Sequence, residues 1–334
     1  MNYLAMGAAA ASVSLAASAG LAESRFTWDG EVELGVDSVV NSDVAADELS
    51  DFYGTLELNG EFALTDNLSV FGGITGESVT DPTGDRVFGD LGFYVHELGL
   101  RYSIGESAVS FGKITPSFGS TWDSAAGFYG DALAGDYELT EMIGATADFA
   151  VAGGTLSFGV FHADDTYLSQ SAGFNRGRNR ASDGGAGNTG KFDNFAVQWS
   201  QELGDTFYHV GARRLSASAG DVKDETGYVA GIGHQVNDQL GLFAEVAHFD
   251  GFGGTADDAT FVTLNAAYTV GQITYSGLIS QRDVDSAGKT NLYSVGLDYE
   301  LANGMVLGAA LAHVDDAGTN SQQIGLNLVI PLGG

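Results

Sequence analysis

FYGTLELNGEF, residues 52–62, sets Phe52, Gly54, Leu56, Leu58, Gly60 and Phe62 against Tyr53, Thr55, Glu57, Asn59 and Glu61. One set is apolar or glycine, the other polar or acidic, and the period is two residues. Successive side chains point to opposite sides in an extended strand, whereas a helix would scatter this pattern around its circumference. The stretch predicts a β-strand with one face against apolar surroundings and the other against water.

The same alternation recurs in sixteen segments, at roughly 26–37, 52–63, 68–77, 90–103, 107–114, 139–150, 154–163, 191–201, 206–216, 226–236, 240–249, 260–269, 273–282, 290–300, 305–313 and 322–330. Their connections alternate in length. Short ones such as Leu64-Thr65-Asp66-Asn67, Asn237-Asp238-Gln239 and Ala302-Asn303-Gly304 carry the Asn, Asp and Gly of hairpin turns. Long ones fall at about 38–51, 78–89, 115–138, 164–190, 217–225, 250–259, 283–289 and 314–321. Eight long loops interleaved with seven short turns place both termini on the short-turn side. That rhythm predicts an all-β chain: a sixteen-stranded antiparallel transmembrane β-barrel with short periplasmic turns and long extracellular loops.

Composition is compatible with this. The 334 residues hold 49 Gly, 3 Pro and no Cys, so neither a disulfide framework nor thiolate chemistry is available. Forty-four acidic against 13 basic residues give a formal charge of −31, which excludes nucleic acid as a partner. A hydrophobic content of 44% is too high for a solvating acidic tail, so the chain must segregate its two kinds of residue.

Residues 1–22, MNYLAMGAAAASVSLAASAGLA, carry no charge and offer small-residue cleavage sites after Ala19 and Ala22. They read as a secretory signal peptide, leaving 23–334 as the barrel. No later stretch is apolar for the roughly 18 residues a membrane helix needs. About 312 residues over sixteen strands leave near twenty for each strand and its connection, enough for the roughly ten that a tilted strand uses to cross.

Face by face, Leu240, Leu242, Ala244 and Val246 oppose Phe243, Glu245 and Ala247. Ile273, Tyr275, Gly277 and Ile279 oppose Thr274, Ser276 and Ser280, and Tyr293, Val295, Leu297 and Tyr299 oppose Ser294, Gly296, Asp298 and Glu300. A soluble sandwich and a wide barrel share such alternation; the even strand distribution and the leader favour the barrel. So do aromatics near strand ends, Trp28, Tyr102, Tyr268 and Tyr299, as an interfacial girdle requires.

The third long connection, 115–138, mixes Phe118, Trp122, Phe128 and Tyr129 with Asp123, Asp131, Asp136 and Glu138. An exterior loop has little need of so many large apolar side chains. Folded inward, its aromatics would pack on the wall, its acids would narrow the channel, and Gly119, Gly127, Gly130 and Gly135 would supply bends. By parity Arg101 shares a face with Glu97, and Arg213 with His209; Lys113 ends its strand. Glu57, Glu61 and Glu245, together with Glu31, Glu33 and Asp298, are expected in the lumen. Acids facing Arg across a wet gap set up a transverse field, and the acidic excess predicts cation preference.

Arg176, Arg178 and Arg180 in NRGRNR are expected to hold their loop by ion pairs or to face anionic headgroups. Paired acids such as Asp257 and Asp258 suit incidental Ca²⁺ binding. No HExxH, GxSxG or phosphate-binding GKS/GKT is present and the six histidines are scattered, so neither an enzyme nor a cofactor is expected.

The segments 52–73, 97–119 and the closing hairpins from Tyr293 to Ile330 resemble the general porins of Gram-negative bacteria, especially those of the alphaproteobacterial type. That resemblance implies a homotrimer of sixteen-stranded barrels in the outer membrane, surrounded by lipopolysaccharide and inserted by the barrel-assembly machinery. It implies passive diffusion of small hydrophilic solutes past an inward third loop carrying Asp123, Asp131, Asp136 and Glu138, with Arg101, Lys113 and Arg213 on the facing wall. A solute-specific channel and a non-conducting structural or adhesive barrel are the alternatives. Family members usually end on an aromatic residue, whereas this chain reads Ile330-Pro331-Leu332-Gly333-Gly334.

Overall fold

The computed structural model describes residues 25–333, so the expected leader lies outside the described residues. Eighteen strand segments form one sheet; two are two-residue pieces inside loops, Arg86–Val87 and Ala172–Gly173, and the other sixteen form the wall. They are β1 (Phe26–Ser42), β2 (Ser50–Ala63), β3 (Leu68–Ser78), β4 (Leu91–Ile104), β5 (Ser107–Ile114), β6 (Met142–Val151), β7 (Gly154–Ala163) and β8 (Asn194–Leu203). The rest are β9 (Thr206–Leu215), β10 (Glu225–Asn237), β11 (Leu240–Asp250), β12 (Asp258–Val270), β13 (Ile273–Val284), β14 (Gly288–Glu300), β15 (Val306–Asp316) and β16 (Thr319–Gly333).

Wall strands pair antiparallel with their sequence neighbours, and β1 also pairs with β16, from Asp29 opposite Gly333 to Ser42 opposite Ser321. The sheet is thereby closed into a barrel and has no free edge, which is what a sheet surrounded by hydrocarbon requires.

Exposure alternates with the sequence period but in the sense opposite to a soluble protein. On β11 the outward Leu242 and Val246 are exposed while Phe243, Glu245, Ala247 and Phe249 are buried. Leu264, Tyr275, Ile279, Val295 and Leu311 continue the exposed apolar face, and Asn265, Ser276, Ser280 and Thr290 lie buried on the inner one. An apolar outside with a polar inside excludes the soluble sandwich. Trp28, Tyr102, Tyr268 and Tyr299 point outward near strand ends. Among the described residues no helix is long and apolar enough to cross a membrane.

Two of the expected long loops are tight. Between β13 and β14 only 285–287 leave the ladder, and β15 turns into β16 through Ala317 and Gly318, both with positive φ (50° and 93°). The ladder continues through polar pairs, Asp283 opposite Lys289 and Asp316 opposite Thr319. Where a strand rises beyond the membrane both faces meet water, so its alternation vanishes although its hydrogen bonds persist. A register shift at Gly73/Ile74 leaves His96 as an extra residue on β4 beside Glu97.

Leu264 faces outward in the middle of β12. Leu264→Arg is expected to cost about 2–4 kcal/mol if that position lies near the bilayer midplane. Reversible denaturant unfolding in lipid vesicles measures it, and a cost near zero would remove Leu264 from the lipid-facing surface.

Candidate functional site: the segment inside the barrel

The chain leaves the wall after Ile114, returns at Met142, and between them lies against the inner face of the strands across from its origin. Phe118, Tyr137 and Leu139 bury themselves on Val229, Ala247, Phe249 and Phe261. Tyr129 and Leu133 pack on Leu278, Leu292 and Ala310. The Phe118 ring meets Tyr137 edge-on at 6.4 Å, and Tyr137 meets Phe261 at 5.0 Å.

Irregular backbone inside a barrel needs partners, and the wall supplies them. Gly119 N donates to Gln198 Oε1 at 2.7 Å, and Ser120 N donates to Glu245 Oε2 at 2.8 Å. The Asn265 amide both accepts from Ala126 N and donates to Ala126 O, at 3.0 and 2.9 Å. Tyr129 OH donates to Asp37 Oδ1 at 2.8 Å. Of the four glycines expected to bend this segment, Gly119 and Gly127 have positive φ (88° and 96°). A Cβ on Gly127 would stand 2.3 Å from Ser276 Oγ. Gly130 and Gly135 do not take that conformation.

Glu245 is the central tie. Its carboxylate accepts from Ser120 N, from Thr121 Oγ1 at 2.7 Å and from Tyr137 OH, and His209 Nε2 stands 2.7 Å away. Arg213 is a second tie: Nε donates to Glu225 Oε1 at 2.8 Å, Nη1 to the Tyr137 carbonyl, and the guanidinium lies 4.6 Å from both the Phe118 and Phe249 rings. Lys113 is fully buried with Glu141 and Asp164 at 2.7 Å each. Arg101 pairs with Glu61 at 2.6 Å and lies over Phe71, and Asp136 pairs with Arg282 at 2.6 Å.

The remaining acids behave differently. Asp123, Asp131 and Glu138 form no ion pair among the described residues. Burial first, then the charges of Glu57 and Asp131, raise the Asp123 carboxyl to about 6. Burial, then Asp123, Asp131 and Glu57, raises Glu138 to about 7. Asp131 is also raised, by the barrel wall crowding around a side chain that is itself exposed to the lumen. The negative charges of Glu57 and Asp131 thus act on both Asp123 and Glu138 and disfavour their ionisation. On the wall Glu57 stands opposite Glu31 and accepts from Asn59 Nδ2 at 2.9 Å, and Glu97 lies at the β4 bulge.

Outside the lumen, Asp257 accepts from Ser286 Oγ and Asp258 lies 3.9 Å from Lys223 Nζ. Among the described residues no group of three or more His, Cys, Asp or Glu could hold a metal ion. In the NRGRNR run, Arg176 pairs with Glu141 and Arg178 donates to the Asp165 carbonyl. Sequence reasoning passed over Glu225, Glu141, Asn265 and Arg282. Arg282 shares the parity of the inward Ser276 and Ser280, a signal that could have found it, whereas Glu141 fell just past the expected loop.

A family model described as Gram-negative porin matches residues 7–320. The chain belongs to the Gram-negative porin family. The outer-membrane channel DcaP of Acinetobacter baumannii is similar to this porin at 12% identity and a TM-score of 0.66, covering 92% of this chain and 97% of that one. Two engineered variants of the porin of Rh. blastica are similar at 16% and 17% identity, with TM-scores of 0.60 and 0.57; they cover 92% and 91% of this chain and 100% of their own. At such identities the likeness shows the fold alone. A search of curated proteins returned no match. Family and barrel together make this a porin-like channel of the outer membrane, crossing it many times, with lipid and lipopolysaccharide as its surroundings and the general assembly machinery as its route there.

Glu245→Ala would leave Ser120 N, Thr121 and Tyr137 without their shared acceptor and remove the carboxylate beside His209. Removing one member of a buried charged network costs about 3–5 kcal/mol. The expected outcome is a lower unfolding midpoint, together with noisier open-channel current as the segment loosens; an unchanged midpoint and quiet current would show that Glu245 does not hold it.

Proposed function

We propose that this porin is a passive diffusion channel for small hydrophilic solutes and ions, with cations preferred and segment 115–138 as its constriction. One contrast carries the reading. Lys113, Arg101, Arg213 and Arg282 each stand against a carboxylate, whereas among the described residues Asp123, Asp131 and Glu138 have no cation of their own. An ion passing the segment therefore meets negative charge that nothing nearby compensates, in a confined aqueous space that focuses the field. The Arg101–Glu61 pair adds a local transverse dipole at the wall without changing the net sign.

The resemblance to alphaproteobacterial porins extends the proposal to a homotrimer. The outward Gly54, Leu56, Leu58 and Gly60 of β2 are small or apolar enough for close packing between copies.

Reversal potentials across planar bilayers in a KCl gradient test the preference, and anion selectivity would overturn it. A unit charge about 7 Å from a permeating ion in water is worth about 0.6 kcal/mol, a factor of about three. Each charge favours K⁺ and disfavours Cl⁻ by that factor, so Asp123→Asn with Glu138→Gln is expected to lower the K⁺ over Cl⁻ permeability ratio by up to about fiftyfold. The pH dependence has the same sign. Groups raised to about 6 and about 7 are ionised at pH 8 and lose their charge as pH falls through those values, so cation preference weakens between pH 8 and pH 5.

A further inference from the structure

Lys113 lies at the end of β5 where the chain turns into the lumen, and its ammonium stands among three oxygen atoms. These are Glu141 Oε2 and Asp164 Oδ2 at 2.7 Å each and the Leu168 carbonyl at 3.0 Å. Glu141 is where the lumen segment rejoins the wall, whereas Asp164 and Leu168 begin the long connection 164–193 at the extracellular rim. One buried charge therefore touches both.

Arg176, in the same connection, closes the circuit. Its Nη2 lies 2.5 Å from Glu141 Oε2, its Nε donates to the Ser169 carbonyl at 2.8 Å, and its guanidinium lies 3.7 Å from the Tyr94 ring on β4. Two cations and two carboxylates thus form a neutral cluster between the two segments. The backbone reinforces it, with Asp164 N donating to Glu141 O at 3.0 Å and Ala172–Gly173 pairing with Gly92–Phe93. Glu141 itself has a φ of 53°, a conformation that a residue with a Cβ keeps only when its surroundings impose it.

We infer that Lys113 and Arg176 are positioning residues that lock connection 164–180 to lumen segment 115–141, so that the geometry of the constriction is set in part from the extracellular rim. Displacing the connection takes Arg176 away from Glu141 and leaves two enclosed carboxylates on one ammonium. The strained turn at Glu141 then relaxes, and Glu138, three residues earlier, moves with it. Neither Lys113 nor Arg176 needs to touch the solute.

The inference rests on 115–138 being the constriction. Its test is Arg176→Gln and Lys113→Met, singly and combined, in full-length protein reconstituted into planar bilayers, with heat-modifiable gel migration as the check of folding. Loss of a positive charge acting only through space would raise cation preference. Uncoupling does the opposite: Arg176→Gln is expected to lower the K⁺ over Cl⁻ ratio by about a factor of two and to raise open-channel noise, with the double variant going no further than the larger single. A folded Arg176→Gln protein with an unchanged or raised ratio and quiet current overturns the coupling, as do effects that add. If Lys113→Met does not assemble, Glu141→Gln breaks the same joint and completes the cycle. An Asp123→Asn control that leaves the ratio unchanged defeats the constriction reading instead, and the noise measurement then decides the coupling separately.

Discussion

A peptide group in hydrocarbon has no water to bond, and that constraint reaches every part of this molecule. It forces β1 to pair on both sides, with β2 and with β16, so that no strand is left with an open edge. It also explains polar residues that would be odd in a lipid-exposed sheet. Gln198, Glu245 and Asn265 sit inward on β8, β11 and β12, where the irregular backbone at Gly119, Ser120 and Ala126 requires acceptors.

Charge follows from that arrangement. With 13 basic residues against 44 acidic, cations are scarce, and each inner one already named is spent on holding chain to chain. Arg213 is the plainest case: enclosed by two aromatic rings, it could not be tolerated without Glu225, and in exchange it fixes the Tyr137 carbonyl. Structural ties thus consume the positive charge and leave Asp123, Asp131 and Glu138 of the lumen segment without an ion-pair partner among the described residues.

The strand pattern was legible because lipid on one side and water on the other impose a period of two. Residues 52–62 could have been nothing else, and all sixteen segments took their places. The pattern failed where that asymmetry ends. At Asp283 to Lys289 and Asp315 to Asn320 both faces are wet, so paired strands read as loops. The inward course of 115–141 was suggested by Phe118, Trp122 and Tyr129. Its anchors were not, because Glu245, Asn265 and Arg282 lie more than a hundred residues along the chain and meet the segment only once the barrel has closed. Parity tells which side of the wall a charge occupies; it does not tell which partner it will have.

Selectivity by fixed charge needs the charges to stay where they are, since a carboxylate on a mobile loop would simply follow the passing ion. Here Asp123 directly follows Trp122, which is half-buried against the cluster of Phe118 and Tyr137, and Asp131 lies between Tyr129 and Leu133 of the second cluster. Glu138 lies between Tyr137 and Leu139, both buried on the wall. Each unpaired acid is thus within two residues of a large buried or half-buried anchor, and the conformational entropy of holding it in place is offset by apolar burial rather than by an ion pair. An ion pair would have fixed the carboxylate equally well and cancelled its charge. Anchoring through aromatic neighbours is the arrangement that leaves a carboxylate both immobile and uncompensated.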